Sequence, residues 1–273
     1  MRRSVPTSVP PGEAPPLGDE EAARPPGLPA GKELDRELDG LKERIGRLGA
    51  ALCAEKEHAL LVVLQSRDTG GKDGVVHKVF GAVLPQHLSV ASFQEPSREE
   101  RAHDFLWRVH AAVPPFGRVG VFNRSHYEEV VTARVHGLVP EEVWTRRFRQ
   151  INDFERMLVE NGVAVVKLFL HVSRGEQKRR LRRRLETSRK RWEFDPSDLE
   201  DRARWDEFTE AYRDAIARCG TPEAPWHVVP ADDKAVRNLL VARIVADALE
   251  RLDPRYPEPE YDLDEALRRL ERL

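Results

Sequence analysis

Cysteine is nearly missing from this chain: Cys53 and Cys219 are the only two, far apart and without the close spacing of a metal knuckle. No disulfide framework can be built from them, so a reducing cytoplasm is the expected setting. Long apolar runs are lacking as well. None approaches the roughly 18 residues of a membrane span, and the N-terminus has no continuous apolar core of a secretory signal. Neither a membrane partner nor export is expected. Net charge is close to absent too, because 45 Lys and Arg nearly cancel 47 Asp and Glu. Polyanion binding through overall charge is thereby excluded, and any anion site has to come from local clustering. The nine histidines contain no HExxH or similar metal spacing. His103, His110, His126 and His136 read as helix-face or pocket-wall residues.

Proline is plentiful but uneven. The first thirty residues hold eight of the twenty prolines, three glycines and no aromatic residue. Such a composition cannot bury enough surface to offset its ordering entropy, which predicts a disordered tail over 1–30. Over 31–57, Leu34, Leu38, Leu41, Ile45, Leu48 and Leu52 recur at spacings of three and four, the stripe of an amphipathic helix. Packing or self-association is its expected use. Beyond it, apolar runs at 59–64, 88–93, 119–122, 163–172 and 226–229 alternate with helical patterns at 72–83, 97–112, 141–160, 174–186, 196–218 and 232–252. That alternation predicts an α/β fold, a parallel sheet between helical layers with ligands at the carboxyl ends of its strands. Residues 58–253 would form this domain, and 254–273 a peripheral connector and short charged helix.

The most telling stretch is 60–74, LLVVLQSRDTGGKDG, an apolar strand that runs into a glycine-bearing turn with one lysine and two aspartates. A strand, a tight turn and a helix start aim several backbone N–H groups at one spot, and an ammonium adds a full positive charge. This is the layout of a phosphate-binding loop. The regular pattern is met only by Gly71 and Lys72; Ser66 stands where the first glycine belongs and Asp73 where a hydroxyl would help hold Mg²⁺. Without that hydroxyl, Asp68 or Asp73 would have to supply the hard oxygen that magnesium requires. The plainer alternative is a turn in which Gly70, Gly71 and Gly74 serve backbone geometry alone.

A second cluster lies at 118–128, RVGVFNRSHYE, where a strand ends in Asn123 rather than a carboxylate. Glu128 could return the missing negative charge, and Arg124 offers a planar fork suited to phosphate oxygens. Equally, Asn123 or Ser125 could cap a helix while Arg124 sits in a structural ion pair. A third feature is the basic run 178–191, with Lys178, Arg179, Arg180, Arg182, Arg183, Arg184, Arg189, Lys190 and Arg191 opposed only by Glu186. Nine cations in fourteen residues repel one another unless something anionic sits against them. A solvated helix face, nucleic-acid binding and a lid over a phosphate chain are the three readings. Few aromatics are interleaved, with only Trp192 and Phe194 nearby, so the lid is preferred to a nucleic-acid partner.

Taken in order, these segments resemble the second polyphosphate kinase family. The likeness runs from about 60 to 252 and includes the loop QSRDTGGKDG (65–74), HDFLWRVH (103–110), FNRSHYE (122–128), INDFE (151–155), the basic run and APWHVVPADDK (224–234). It implies the three-layer αβα P-loop kinase fold with a central parallel sheet and a basic helical lid at about 174–195. It also implies Mg²⁺-dependent transfer of a phosphoryl group between inorganic polyphosphate and a nucleotide, by a homo-oligomer. Carried over by position, the catalytic groups are Asp68, Lys72, Arg124 and Arg184, with Asp68 and Glu128 at the metal. Gly70, Gly71, Asp73, Gly74, Asn123, Lys178, Arg179, Arg182 and Arg183 would line the substrates. Asn123 with Glu128 resembles the branch that accepts both nucleoside mono- and diphosphates. Ser66 departs from the usual glycine, and a positive φ there would cost a serine about 1 kcal/mol or more. The rival activities are an ATP-dependent kinase of a small molecule or nucleotide and a non-catalytic phosphate- or RNA-binding protein.

Overall fold

The computed structural model describes residues 8–273; the first seven residues of the expected tail lie outside the described residues. In chain order the elements are α1 (Gly31–Glu55), β1 (Ala59–Ser66), α2 (Lys72–Val79), β2 (Leu88–Ser92), α3 (Trp107–Ala111), β3 (Val119–Asn123), α4 (Thr132–Val135) and α5 (Glu141–Glu160). They continue with β4 (Val163–His171), α6 (Arg174–Glu186), α7 (Ser197–Ala203), α8 (Trp205–Cys219), β5 (Trp226–Pro230), α9 (Lys234–Leu252) and α10 (Leu263–Leu270). The five strands pair in parallel in the order β2-β3-β1-β4-β5, so β1 is central and the chain leaves it between β3 and β4. A crevice opens at the carboxyl ends where strand order reverses, which is where ligands enter open α/β sheets.

Every residue of β1 is buried. Side chains alternate between faces: Leu60, Val62 and Leu64 join the core under α1, α2 and α9, while Ala59, Leu61 and Val63 join the core under α5 and α8. Two apolar layers on one sheet make the αβα sandwich. The leucine stripe of α1 is consumed in the first of these layers. Leu34, Ile45 and Leu52 are buried, and Leu38, Leu41 and Leu48 pack against the same cluster. An ion pair between Glu37 and Arg243 of α9 adds a polar tie.

Three expectations are corrected. The 97–112 segment is not one helix. Ser97 and Glu100 cap each other reciprocally over a single 3-10 turn, Glu100–Ala102. His103 is then extended, and Asp104 accepts from the Leu106 N–H in a local turn before α3. Likewise 196–218 breaks at Arg204, whose guanidinium donates to the Val135 carbonyl, separating α7 from α8. From residue 8 on, the proline-rich segment is laid along the body instead of trailing free. The Val9 N–H donates to the Trp226 carbonyl (2.8 Å), Leu17 and Ala22 are buried, and the Asp232 N–H donates to the Ala22 carbonyl. Proline lowers the entropy of the unfolded chain, so a few well-placed contacts suffice to order such a segment.

Candidate active site

The turn after β1 packs too closely for ordinary side chains. A Cβ on Gly70 would lie 2.5 Å from the Ser66 side chain, and Gly71, at φ 94°, abuts the Arg237 guanidinium. Ser66 itself closes β1 in register with Leu170 and has no positive φ. The anticipated strain therefore falls elsewhere, on Thr69 (φ 63°) and Arg124 (φ 62°). Non-glycine residues in that region cluster where geometry serves function. The Ser66 hydroxyl instead accepts from Lys72 Nζ at 2.9 Å and donates to the Arg67 carbonyl.

Lys72 opens α2 and is 9% exposed. Burial, and then the neighbouring Arg124, push its ammonium below the ordinary lysine value, while Asp68, Glu128 and Asp73 pull it back up. Asp73 in the same turn accepts from the Asn123 amide at 2.7 Å, joining the start of α2 to the end of β3. Arg124 contacts Asp68 Oδ1 at 3.2 Å and Glu128 Oε2 at 3.9 Å. Glu128 above all raises its pKa, against the opposing effect of burial, and Asp68 adds to the rise. The two readings of this strand end coexist: Ser125 caps the short turn His126–Glu129, and Arg124 is ion-paired while facing the crevice.

Two hollows meet here. The larger, of about 690 Å³, is lined by Lys72, Asp73, Gly71 and Gly74 on one side and by Arg179, Arg183 and Arg184 of α6 on the other. The smaller lies between Glu128, Thr132 and Gln177 and the aromatic side chains Trp205, Phe208 and Tyr212. Asp68 and Arg124 border both. Thus Asp68, Lys72, Arg124 and Arg184 share one groove, and Glu128 reaches it from the adjoining cleft. Gly70 and Asn123 stand behind the lining as supports. Lys178 and Arg182 lie on the exposed side of α6 and border neither hollow.

Arg184 is held by Asp198 (3.3 Å) and Glu193 (3.6 Å). Burial and the nearby Asp68 carboxylate raise Asp198 to about 6. Asp201 is raised by the same two causes. The basic run is not a uniform face, for Arg180 turns inward and donates to the carbonyls of Thr69, Ala231 and Asp232. Three further cations line the large groove: Lys190, from the end of the basic run, and Lys234 and Arg237 of α9. Burial lowers Arg237 to about 10, with Arg180 adding to the effect. In the cleft, Arg67 lies 3.9 Å above the Trp205 ring and is likewise lowered to about 10, mainly by burial. Arg67 belongs to the loop motif and Lys234 ends the segment APWHVVPADDK, though neither is assigned a role there; nothing in the sequence marks the helix-borne Arg237.

As a metal centre, Asp68 and Glu128 fit. They are hard oxygen donors converging on one guanidinium, so a cation already occupies the space between them. Among the described residues the one group of three close ligand side chains is Glu55, Glu57 and His58, before β1 at the opposite end of the sheet.

The family model for Polyphosphate kinase 2 (PPK2) matches residues 31–257. An AMP/ADP-polyphosphate phosphotransferase of Meiothermus ruber is 49% identical over 220 residues, 81% of this chain and 82% of the relative. An ADP-polyphosphate phosphotransferase of Rhodopseudomonas palustris is 41% identical over 228 residues, 79% of each chain. Among solved structures, the polyphosphate kinase 2 of Arthrobacter aurescens TC1 superposes with a TM-score of 0.89 at 38% identity, covering 92% of this chain and 91% of that one. The lysine-bearing turn, the parallel sheet and the arginine-lined groove thus lie within a likeness that spans nearly the whole chain, which belongs to the polyphosphate kinase 2 family.

Proposed function

We infer that this protein transfers a phosphoryl group between inorganic polyphosphate and a nucleotide, with AMP and ADP both as acceptors. The observation that carries the reading is the junction: Asp68 and Arg124 border both a long cationic groove and a compact cleft with an aromatic wall. A chain of phosphates fits the groove, and a nucleotide fits the cleft, where flat rings suit a base. Their reacting ends would meet at the shared pair. The similarity to an AMP/ADP-polyphosphate phosphotransferase, with Asn123 and Glu128 at the strand end, supports acceptance of mono- and diphosphates.

Phosphoryl transfer through a loose transition state asks mainly for alignment and for positive charge around the equatorial oxygens. A nucleotide phosphate is already ionised near neutral pH, so no general base is required. Lys72 would exchange its hydrogen bond with Ser66 for an oxygen of the transferred group. Arg124 would do the same with its two carboxylates, clamping donor and acceptor in line. Arg184 would leave Asp198 and Glu193 for the phosphates, while Arg179 and Arg183 track the chain. Asp68 and Glu128 would hold Mg²⁺, which supplies charge neutralisation when bound. Gly71, Asp73 and Gly74 line the phosphate end of the groove.

The setting we propose is cytoplasmic. Both cysteines are free, and among the described residues no helix is long and apolar enough to cross a membrane. A homo-oligomer is part of the proposal. Since α1 spends its stripe internally, the exposed Leu263, Leu267 and Leu270 of α10 are the apolar stripe we propose for it, and light scattering reads the state.

The test is chromatography of nucleotides after incubation with polyphosphate, Mg²⁺ and either AMP or ADP, with no ATP added. ADP and ATP should appear. Product formed only when ATP is the donor would favour an ATP-dependent kinase instead, and no product with tight RNA binding would favour a non-catalytic role.

A further inference from the structure

Lys167 is fully buried on β4, on the sheet face otherwise occupied by Val163, Val165 and Phe169. Its ammonium donates to Glu155 Oε2 (2.5 Å), to the Cys219 carbonyl (2.5 Å) and to the Tyr127 hydroxyl (3.1 Å). Glu155 Oε1 in turn accepts from Tyr127 (2.9 Å) and lies 3.1 Å from His126 Nε2. Neither member of the pair borders the groove or the cleft. A buried ion pair is poor at raising stability, because apolar replacements of similar volume often do as well or better. Its presence in an apolar layer calls for another explanation.

The location supplies one. His126 and Tyr127 lie between Arg124 and Glu128, so the pair grips the middle of the short turn whose ends face the substrates. From the other side Gln65 donates to Ser125 Oγ (3.0 Å), which also accepts from the Tyr127 N–H. The turn is held from β1 and from the buried pair together, and it keeps Arg124 at φ 62°. We propose that Glu155 and Lys167 are positioning residues that fix Arg124 and Glu128 for transfer. The kinetic part rests on the function inferred above.

Tyr127→Phe removes one hydroxyl that touches both members, and a Glu155→Leu/Lys167→Met double variant removes the charges without leaving either unpaired. Each is assayed well below its melting temperature, alongside amide hydrogen exchange of the whole chain. Tyr127→Phe should lower kcat about three- to tenfold and the double variant about a hundredfold, with KM for both substrates within about threefold. Exchange should quicken selectively at 123–130. Unchanged kcat and exchange in Tyr127→Phe, or losses that follow melting temperature with exchange raised along the entire chain, would overturn the proposal. If the wild-type protein gave no turnover, the functional reading would fail, and selective exchange would still decide whether the pair holds the turn.

Discussion

Replacing Lys72 by methionine should separate stability from catalysis. The substitution keeps the aliphatic volume of a side chain that is 9% exposed. It deletes a charged hydrogen bond to the Ser66 hydroxyl, worth about 1.5–3 kcal/mol, and a longer one, 3.5 Å, to the Ser66 carbonyl. It also removes a buried ammonium, and taking such an ion out of water costs several kcal/mol after relaxation. Asp68, Asp73 and Glu128 offset part of that penalty, which leaves a net change of about 1 kcal/mol or less in either direction. For a domain of this size that is a shift of about 2–4 °C in melting temperature. Ser66 is not orphaned, since its hydroxyl already donates to the Arg67 carbonyl. Because folding lowers the Lys72 pKa, the folded wild type carries its penalty while the amine is protonated, and gains on the variant as pH rises through the folded value. Catalysis should respond quite differently. Loss of one preorganised donor to the developing charge costs about 2.7–4 kcal/mol, a fall in kcat of about 10²–10³. The assay is initial-rate ATP formation from polyphosphate and ADP at saturating substrate, with differential scanning fluorimetry on the same samples. Turnover within tenfold of wild type would refute the role assigned to Lys72.

Replacing Arg179 and Arg183 together by glutamine should weaken long polyphosphate more than short chains and flatten the dependence of KM on salt, measured from about 50 to 300 mM, as fewer counterions are released. Gly71→Ala should destabilise by about 1–2 kcal/mol from the left-handed backbone alone, with the collision against Arg237 adding to it, read by urea unfolding. Asp198→Asn should raise stability at pH 7 by about 1 kcal/mol, relief of the buried charge being partly offset by the lost ion pair with Arg184, read by the same urea unfolding. Folding raises this carboxyl to about 6, so the ionised folded form is disfavoured above that pH, and the advantage of the variant should fade as pH falls through 6 toward 3.8.

All five strands were legible within two residues; β1, β3 and β4, buried along nearly their whole length, are written as apolar, β-branched runs, while the edge strand β2 is shorter and half-exposed. Helix α5, with its apolar stripe Phe148, Ile151, Phe154 and Leu158, was legible to the residue, and so was α6, bounded by the Ser173 cap and the β-branched Thr187. The segment at 97–112 was not, since charge-rich sequence tolerates a helix without demanding one and local capping by Ser97 and Asp104 decided the outcome. The proline-rich strap escaped a reading based on composition, which counts apolar residues but does not see that Leu17 and Ala22 each find a pocket. The loop and strand-end residues that gather at one junction are close together in sequence, which makes their grouping legible. Lys234 and Arg237 reach the groove from far along the chain; Lys234 closes the segment at 224–234, but no local pattern announces that either contacts the groove. Within the basic run, the helical period sorts Arg179 and Arg183 inward to the groove and Lys178 and Arg182 outward, and Arg180 beneath.

Arg180 pins the middle of α6 to the turn after β1 at Thr69 and to the strand end at Ala231. A swing of the entire helix would tear three carbonyl bonds from a buried guanidinium. The closure we propose would therefore be a short lever pivoting beyond that rivet, with Arg183 and Arg184 on its inner stub and Lys190 and Trp192 toward its tip. Such an arm would sweep little volume, so on this proposal a long polymer would be laid in from the side of the groove, with no need to thread from an end.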